Sequence, residues 1–205
     1  MKIVIISDTH GFHEKIHIPS GDILICAGDI CNQCTIEEII QFDRFLAQLP
    51  HRHKIVIAGN HDFPFQNFPD IAKTSLQNCI YLQDSGVEIN GIKIYGSPWQ
   101  PWFFDWAFNL ERGDEIRQKW DLIPHDTDIL ITHCPPFGIL DIVHGQNQGC
   151  EELFKAIYRI RPKCYIFGHI HEGYGQLIIE NSVFINASIC DERYQPINKA
   201  RIFEV

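Results

Sequence analysis

The stretch Lys54-Ile55-Val56-Ile57-Ala58-Gly59-Asn60-His61-Asp62 constrains this chain more than any other. Its β-branched half reads as a buried strand, and Gly59 breaks that strand. An amide, an imidazole and a carboxylate follow at once. Polar groups at the carboxyl end of a buried strand stand where open α/β sheets place their ligand sites. Apolar runs at 3–6, 23–27, 128–132 and 164–167 end the same way, at Asp8/His10, Asp29, His133 and His169/His171.

Between these runs the pattern changes period. Residues 35–49 carry apolar side chains at helical spacing, with Thr35 and Glu38 as a capping-box pair and Pro50 as the stop. Helices are also expected over 68–78, 111–120 and 150–160. Asn90-Gly91, set between two short apolar runs, signals a hairpin. A second hairpin is expected over 177–186, turning at Asn181-Ser182, and a last strand over 201–205. Early strands alternate with helices and later ones are hairpin-linked. That order predicts an α/β fold of two mixed β-sheets packed as a sandwich, with helices on the outer faces. No repeat or linker interrupts residues 1–205, so a single domain is expected.

Net charge narrows the partners. Twenty-six acidic residues against 17 basic ones leave −9, which argues against duplex nucleic acid and against an anionic membrane surface. A small phosphorylated substrate such as a nucleotide stays open, because bound cations reverse the local field. The start of the chain lacks a signal-peptide core, and the eight cysteines form no disulfide framework. Reduced thiols in a cytoplasmic protein are therefore expected. Cys31-Asn32-Gln33-Cys34 is a lone CxxC without a second pair at zinc spacing, and it is not read as a metal site.

Five polar clusters thus stand at expected strand ends. Asp8-x-His10 and His169-x-His171 each project two ligand types to one side of an extended segment. A lone Asp in such a place usually caps a turn, and a lone His usually makes one hydrogen bond within the core. Five coincident clusters are poorly explained that way. Oxygen and imidazole donors without thiolates suit Mn, Fe, Zn or Ni. Seven such donors, one of them a bridging carboxylate, would hold two divalent metal ions. His13, His17, His51, His53, His125 and His144 lie outside the clusters and receive no metal role.

Asp8-Thr9-His10, Gly28-Asp29, Gly59-Asn60-His61-Asp62, His133 and Gly168-His169-Ile170-His171 resemble, in order and spacing, the motifs of the calcineurin-like metallophosphoesterases. Lys93-Ile94-Tyr95-Gly96-Ser97-Pro98-Trp99-Gln100-Pro101-Trp102, Trp120-Asp121-Leu122-Ile123-Pro124 and Asn186-Ala187-Ser188 extend the resemblance to the metallophosphoesterase-domain-containing subfamily, whose members resemble class III phosphodiesterases. The resemblance implies that Asp8, His10 and His171 bind one metal, that Asn60, His133 and His169 bind the other, and that Asp29 bridges. It further implies attack on phosphorus by a hydroxide bridging the two ions. The fourth motif departs from the common Gly-His-Thr/Ser-His, reading Ile131-Thr132-His133-Cys134, but keeps its histidine. Some subfamily members carry Gly where this chain has His169.

His61 is the candidate to protonate the leaving alkoxide or to hold the phosphate, with Asp62 orienting its ring. Asn60 and Trp102 join His61 as candidate substrate contacts, and a cleft role falls to Trp102 or Phe103. The aromatic run 99–106, broken by prolines, has two readings: a platform for a nucleobase, or a loop that folds back to plug the sheet, which is the favoured one. The glycine-flanked Asn147 and Gln148 form a loop near the expected entrance. Cys190-Asp191-Glu192-Arg193 lies near the pocket by the same resemblance. The function expected is metal-dependent hydrolysis of phosphodiesters, cyclic nucleotides included. The alternatives are a phosphomonoesterase or protein phosphatase with the same site, a non-catalytic nucleotide-binding regulator on the same fold, and a scaffold using the aromatic loop.

Overall fold

Alternate residues of the first strand serve two different cores. Ile3 and Ile5 face one apolar layer, Val4 and Ile6 the next, and all four are fully buried. A strand buried on both faces must lie between layers, which is how near-continuous Ile/Val runs are used. The computed structural model describes residues 1–205. Its first part holds β1 (Lys2–Ile6), β2 (Ile23–Cys26), α1 (Ile36–Gln48), β3 (His53–Val56), α2 (Phe63–Asn67), α3 (Pro69–Ser75) and β4 (Ile80–Tyr81). Next come β5 (Ser85–Ile89), β6 (Ile92–Ser97), β7 (Gln100–Pro101), β8 (Asn109–Leu110), α4 (Asp114–Trp120) and β9 (Ile129–Thr132). The remainder is β10 (Ile142–Val143), β11 (Gln146–Asn147), α5 (Glu151–Ile160), β12 (Cys164–Phe167), β13 (Gly175–Ile179), β14 (Ser182–Asn186) and β15 (Arg201–Glu204).

Two large mixed sheets result, ordered β15-β1-β2-β3-β4 and β13-β14-β12-β9-β6-β5. The inner strands of both are parallel, and antiparallel pairs occur only at β15, β13 and β5. Ile5, Ile25 and Ile55 from one sheet pack against Ile94, Ile131 and Ile166 from the other. α1, α2 and α3 cover the outer face of the first sheet through Ile39, Phe42, Phe65 and Ala72. α4 and α5 cover the second through Trp120, Leu153 and Ile157. The expected layering of helix, sheet, sheet and helix is therefore what the chain adopts.

The local expectations hold to within a few residues, with short elements added: the strands β4, β7 and β8, one helix and one hairpin. Thr35 caps α1, its hydroxyl accepting from Glu38 N while the Glu38 side chain accepts from Thr35 N. The short helix α2, with Pro64 in its first turn, was not expected. The stretch read as a loop around Asn147 contains the small hairpin β10–β11, and Asp141 at its base accepts from Gly138 N, Gly149 N and Asn147 Nδ2. No helix is long and apolar enough to cross a membrane. All eight cysteines are free, and six of them are buried.

At their carboxyl ends the two sheets meet. Ser7, just past β1, forms a parallel bridge with Ser188, just past β14. Ser7 N donates to Ala187 O at 2.9 Å, and Ile189 N donates to Ser7 O at 2.8 Å. The turns that follow β1, β2, β3, β9, β12 and β14 are thereby gathered at one place.

Candidate metal centre

Each of the five polar clusters lies in one of these turns. Four of their residues are held in the left-handed backbone region: Asp8 at φ 52°, His10 at 42°, Asp29 at 53° and His169 at 67°. Non-glycine residues there cost roughly 1–3 kcal/mol each, a strain that concentrates at functional sites. Two glycines of the motifs are explained by their neighbours. A Cβ on Gly59 would lie 2.6 Å from His133 Cε1 and would collide with Asp29 Oδ1. A Cβ on Gly168 would collide with Asp8 Oδ2 and lie 2.7 Å from Ser7 Cβ. Gly59 thus ends a strand, as read from the sequence, and also makes room for a carboxylate.

The donors converge in two halves that share Asp29. In the first, His10 Nε2 and His171 Nε2 are 3.2 Å apart, and His171 Nε2 is 3.5 Å from Asp8 Oδ1. In the second, His133 Nε2 and His169 Nδ1 each lie 2.8 Å from Asn60 Oδ1. Asp29 Oδ2 stands between the halves, 3.8 Å from His10 Nε2 and 3.4 Å from His133 Nε2. Asp8/His10/His171, Asp8/Asp29/His133 and His10/Asp29/His61 each keep their donor atoms within 4.8 Å of one another.

Surrounding groups fix which atoms point inward. His171 Nδ1–H donates to Asp191 O at 2.8 Å, and His133 Nδ1–H donates to Ala27 O at 2.9 Å. A carbonyl only accepts, so in each neutral ring the Nε2 lone pair faces the centre. Ser188 Oγ–H donates to Asp8 Oδ2 at 2.8 Å, and the His169 amide donates to both Asp8 oxygens at 3.1 Å. The His61 amide donates to Asp29 Oδ1 at 2.8 Å.

With Nδ1–H of each ring given to a carbonyl, acceptor faces acceptor where His171 Nε2 meets Asp8 Oδ1 and where His133 Nε2 meets Asp29 Oδ2 and Asn60 Oδ1, and positive charge placed there relieves the repulsion. Without cations, protons take that place. Burial opposes a charged ring, but the hydrogen bond and charge of Asp8 push His171 up to about 9. His133 is likewise pushed up to about 9, the charge of Asp29 outweighing burial. Asp8 and Asp29 are held well below the usual carboxylate range, because His171 and His133 outweigh the effect of burial. Burial, which dominates at the other two rings, brings His10 down to about 4 and His169 down to about 3. Two divalent cations fit this donor set. Asp8, His10 and His171 would hold one, Asn60, His133 and His169 the other, and Asp29 would touch both.

Asp62 does not take the part given it in the sequence reading. Its carboxylate accepts from Cys31 N at 2.9 Å, Gly59 N at 2.8 Å and Ile30 N at 3.3 Å, and none of these bonds reaches His61. It ties the turn after β2 to the turn after β3. Burial and the nearby Asp29 push it up to about 7, against the pull of the Cys31 and Gly59 amides. His61 is held instead by Trp106, stacked on it at a centroid distance of 4.2 Å and an interplanar angle of 28°. The sequence held no signal for that contact beyond Trp106's membership of the aromatic run.

The run itself divides. Trp99 packs against two cores and Gln100 and Pro101 are buried, so the start of the run plugs the sheet, while the buried Ala107 and Phe108 come just after its end. The Ala107 amide also donates to Asn60 O at 3.2 Å. Trp102, Phe103 and Phe104 form an exposed tip at 54 %, 50 % and 72 %. Both expected cleft residues, Trp102 and Phe103, lie on that tip. Phe103 is the tip residue whose ring turns toward a candidate ligand, 6.4 Å from His169. Tyr194, a residue the sequence did not single out, sets its ring 4.8 Å from His10 and 5.2 Å from His171.

The calcineurin-like phosphoesterase family model matches residues 1–173. The metallophosphoesterase domain-containing protein 1 of Homo sapiens is 43 % identical over 230 residues, an alignment covering all of this chain and 71 % of the relative. Among solved structures, TT1561 of Thermus thermophilus aligns with a TM-score of 0.59 at 16 % identity, covering 90 % of this chain and 88 % of that one. An archaeal phosphodiesterase aligns over the whole of both chains with a TM-score of 0.50 at 19 % identity. These two structural likenesses show the shared fold.

Proposed function

This chain belongs to the calcineurin-like phosphoesterases, a family of metal-dependent phosphoesterases, and we propose that its own substrates are phosphodiesters, cyclic nucleotides among them. The observation that carries the reading is the pair of donor sets meeting on Asp29, with Nε2 of His171 and of His133 turned to the centre because each ring gives its Nδ1–H to a backbone carbonyl. When bound there, two divalent cations supply a deprotonated water as nucleophile and neutralise charge on the phosphoryl oxygens.

The protein's own groups do the rest. Asn60 and the ligand histidines shape the cradle, and the Asp29 carboxylate holds the His61 backbone against the centre. His61 stands within donor distance of the Asp29/His10 group, and its Nδ1 is buried without a partner. It is placed to donate a proton to the leaving oxygen or a hydrogen bond to the phosphoryl group. Trp106 keeps its ring in plane for that. The strongest charges acting on Asp8, Asp29, His10, His133 and His171 come only from carboxylates and imidazoles. A singly charged diester needs less cationic compensation than a doubly charged monoester, which favours the diester. Mn, Fe, Zn or Ni suits the donor set, with Mn the first choice for assay, and the unpaired buried thiols support a reducing, cytoplasmic setting.

The test is hydrolysis of bis(p-nitrophenyl) phosphate and of p-nitrophenyl phosphate after chelation and after restoring Mn²⁺, with Asn60→Ala and His61→Ala alongside. Diester cleavage that returns with metal and is lost in both variants is expected. Cleavage of the monoester alone would overturn the diester assignment, and no restored turnover of either would favour a nucleotide-binding regulator.

A further inference from the structure

Tyr194 has no place in the donor set, yet its ring lies against three histidines of the centre. The centroid distances are 4.8 Å to His10, 5.2 Å to His171 and 6.0 Å to His61. It does not serve a core, since 42 % of its surface is exposed, and its backbone sits at φ 56°. The turn that carries it is built by Asp191, whose Oδ1 accepts from Arg193 N at 3.0 Å and Gln195 N at 2.8 Å, and whose carbonyl accepts from Tyr194 N at 2.9 Å. The same carbonyl accepts from His171 Nδ1. One turn therefore orients a candidate ligand and fixes an aromatic ring beside it.

His61 also stacks on Trp106 at 4.2 Å, and the Phe103 ring lies 6.4 Å from His169. Aromatic rings thus neighbour candidate ligands of both halves and His61. The nearest basic residue of the Tyr194 turn, Arg193, has a side chain 82 % exposed and paired with Glu192. No cation of that turn is turned inward to grip what hangs from the phosphate. What the turn offers to that group is the partly exposed Tyr194 ring beside the centre.

We propose that Tyr194 is a substrate-contacting specificity residue whose ring packs against a planar aromatic group of the phosphate ester, either an aryl ring joined directly to the phosphate or a nucleobase carried on the esterified sugar. This rests on the phosphoesterase reading of the centre. Ring stacking of this kind is worth roughly a factor of 10 in affinity, enough to separate aromatic from alkyl esters without a hydrogen-bonded base pocket.

The experiment measures binding rather than turnover, on the Mn²⁺-loaded full chain, by calorimetric titration with phenylphosphonate and methylphosphonate. The wild type is expected to favour the phenyl compound about tenfold, Tyr194→Ala to bring the two dissociation constants together, and Tyr194→Phe to keep the preference. A second pair, adenosine 5′-monophosphate against ribose 5-phosphate, separates the sources. A preference there that also falls in Tyr194→Ala assigns a nucleobase, and one confined to the phenyl pair assigns a simple aryl group. Equal binding of both compounds in every pair by the wild type would overturn the inference, as would a preference that survives Tyr194→Ala or is lost in Tyr194→Phe. If bis(p-nitrophenyl) phosphate is not hydrolysed, the diester reading fails separately, because the binding ratios are read without turnover.

Discussion

The half of the centre around Asp8, His10 and His171 has two carboxylates once Asp29 is counted, whereas the half around Asn60, His133 and His169 has one and an amide. A carboxylate in place of an amide adds attraction of about 4 kcal/mol per unit of cation charge at roughly 4 Å and an effective dielectric near 20, before desolvation. The first half should therefore hold its cation more firmly. Its supports differ too. Ser188, the His169 amide and the Asp191 carbonyl hold Asp8 and His171 from the second sheet and the loop after it. The second half is fixed by Ala27 O on His133 and by the Ala107 amide on Asn60, next to the aromatic run. Similar donor types should thus give one tighter and one looser site, and the half expected to be looser has His169 beside Phe103 of the exposed aromatic tip.

The strongest blow to that comparison is Asp29→Asn, which takes the shared carboxylate from both halves. Turnover should fall on the order of 10³-fold or more, and metal analysis after gel filtration should find both equivalents reduced. If one equivalent stayed fully bound, Asp29 would not bridge.

Asn60→Ala strikes the second half alone. One equivalent of metal should remain bound through gel filtration, with turnover down roughly 10²-fold. Chelator titration of the wild type should likewise remove metal in two steps, and a single step would contradict unequal halves.

Proton occupancy treats the halves alike, because each has one ring raised to about 9, His171 in the first and His133 in the second. Rings raised above the unfolded value of 6.5 add stability that is fully present below pH 6.5 and is lost as pH rises through 9. The chelated protein should lose on the order of a few kcal/mol across that window. The Mn²⁺-loaded protein should stay nearly level, since cations then occupy the lone pairs. Urea unfolding at pH 6.5 and pH 9, with chelator and with Mn²⁺, reads both, and matching slopes would show that the cations do not replace those protons.

Ser188→Ala sharpens the comparison with the smallest change. It removes one hydrogen bond from Asp8 and should weaken metal in the first half about tenfold. The second half should be untouched, as two-phase metal titration would show.

Much of this centre was legible in the chain because strands bury apolar side chains on a fixed period. A run such as Ile23-Leu24-Ile25-Cys26 cannot continue into Gly28-Asp29 without leaving the core, so Asp29 had to lie at a strand end. The same holds for Asp8, Asn60, His133 and His169. Asp62 was misread because adjacency to His61 suggested contact, while three backbone amides in the turns after β2 and β3 offered its carboxylate better partners. Trp102 and Phe103 could not be told apart, and Trp106 could not be singled out, because spacing within a proline-broken run says nothing about direction. Tyr194 lay outside every motif.

By itself the sequence determined the layers and the list of donors, since both follow from local periodicity and from residue types placed where a strand stops. Only the tertiary structure decided which nitrogen of His133 and His171 turns inward and which rings stand beside the site. Those choices depend on Ala27 O, Asp191 O, Trp106 and Tyr194, groups brought in from distant segments once the two sheets close at their carboxyl ends, and no local pattern encodes where such segments meet.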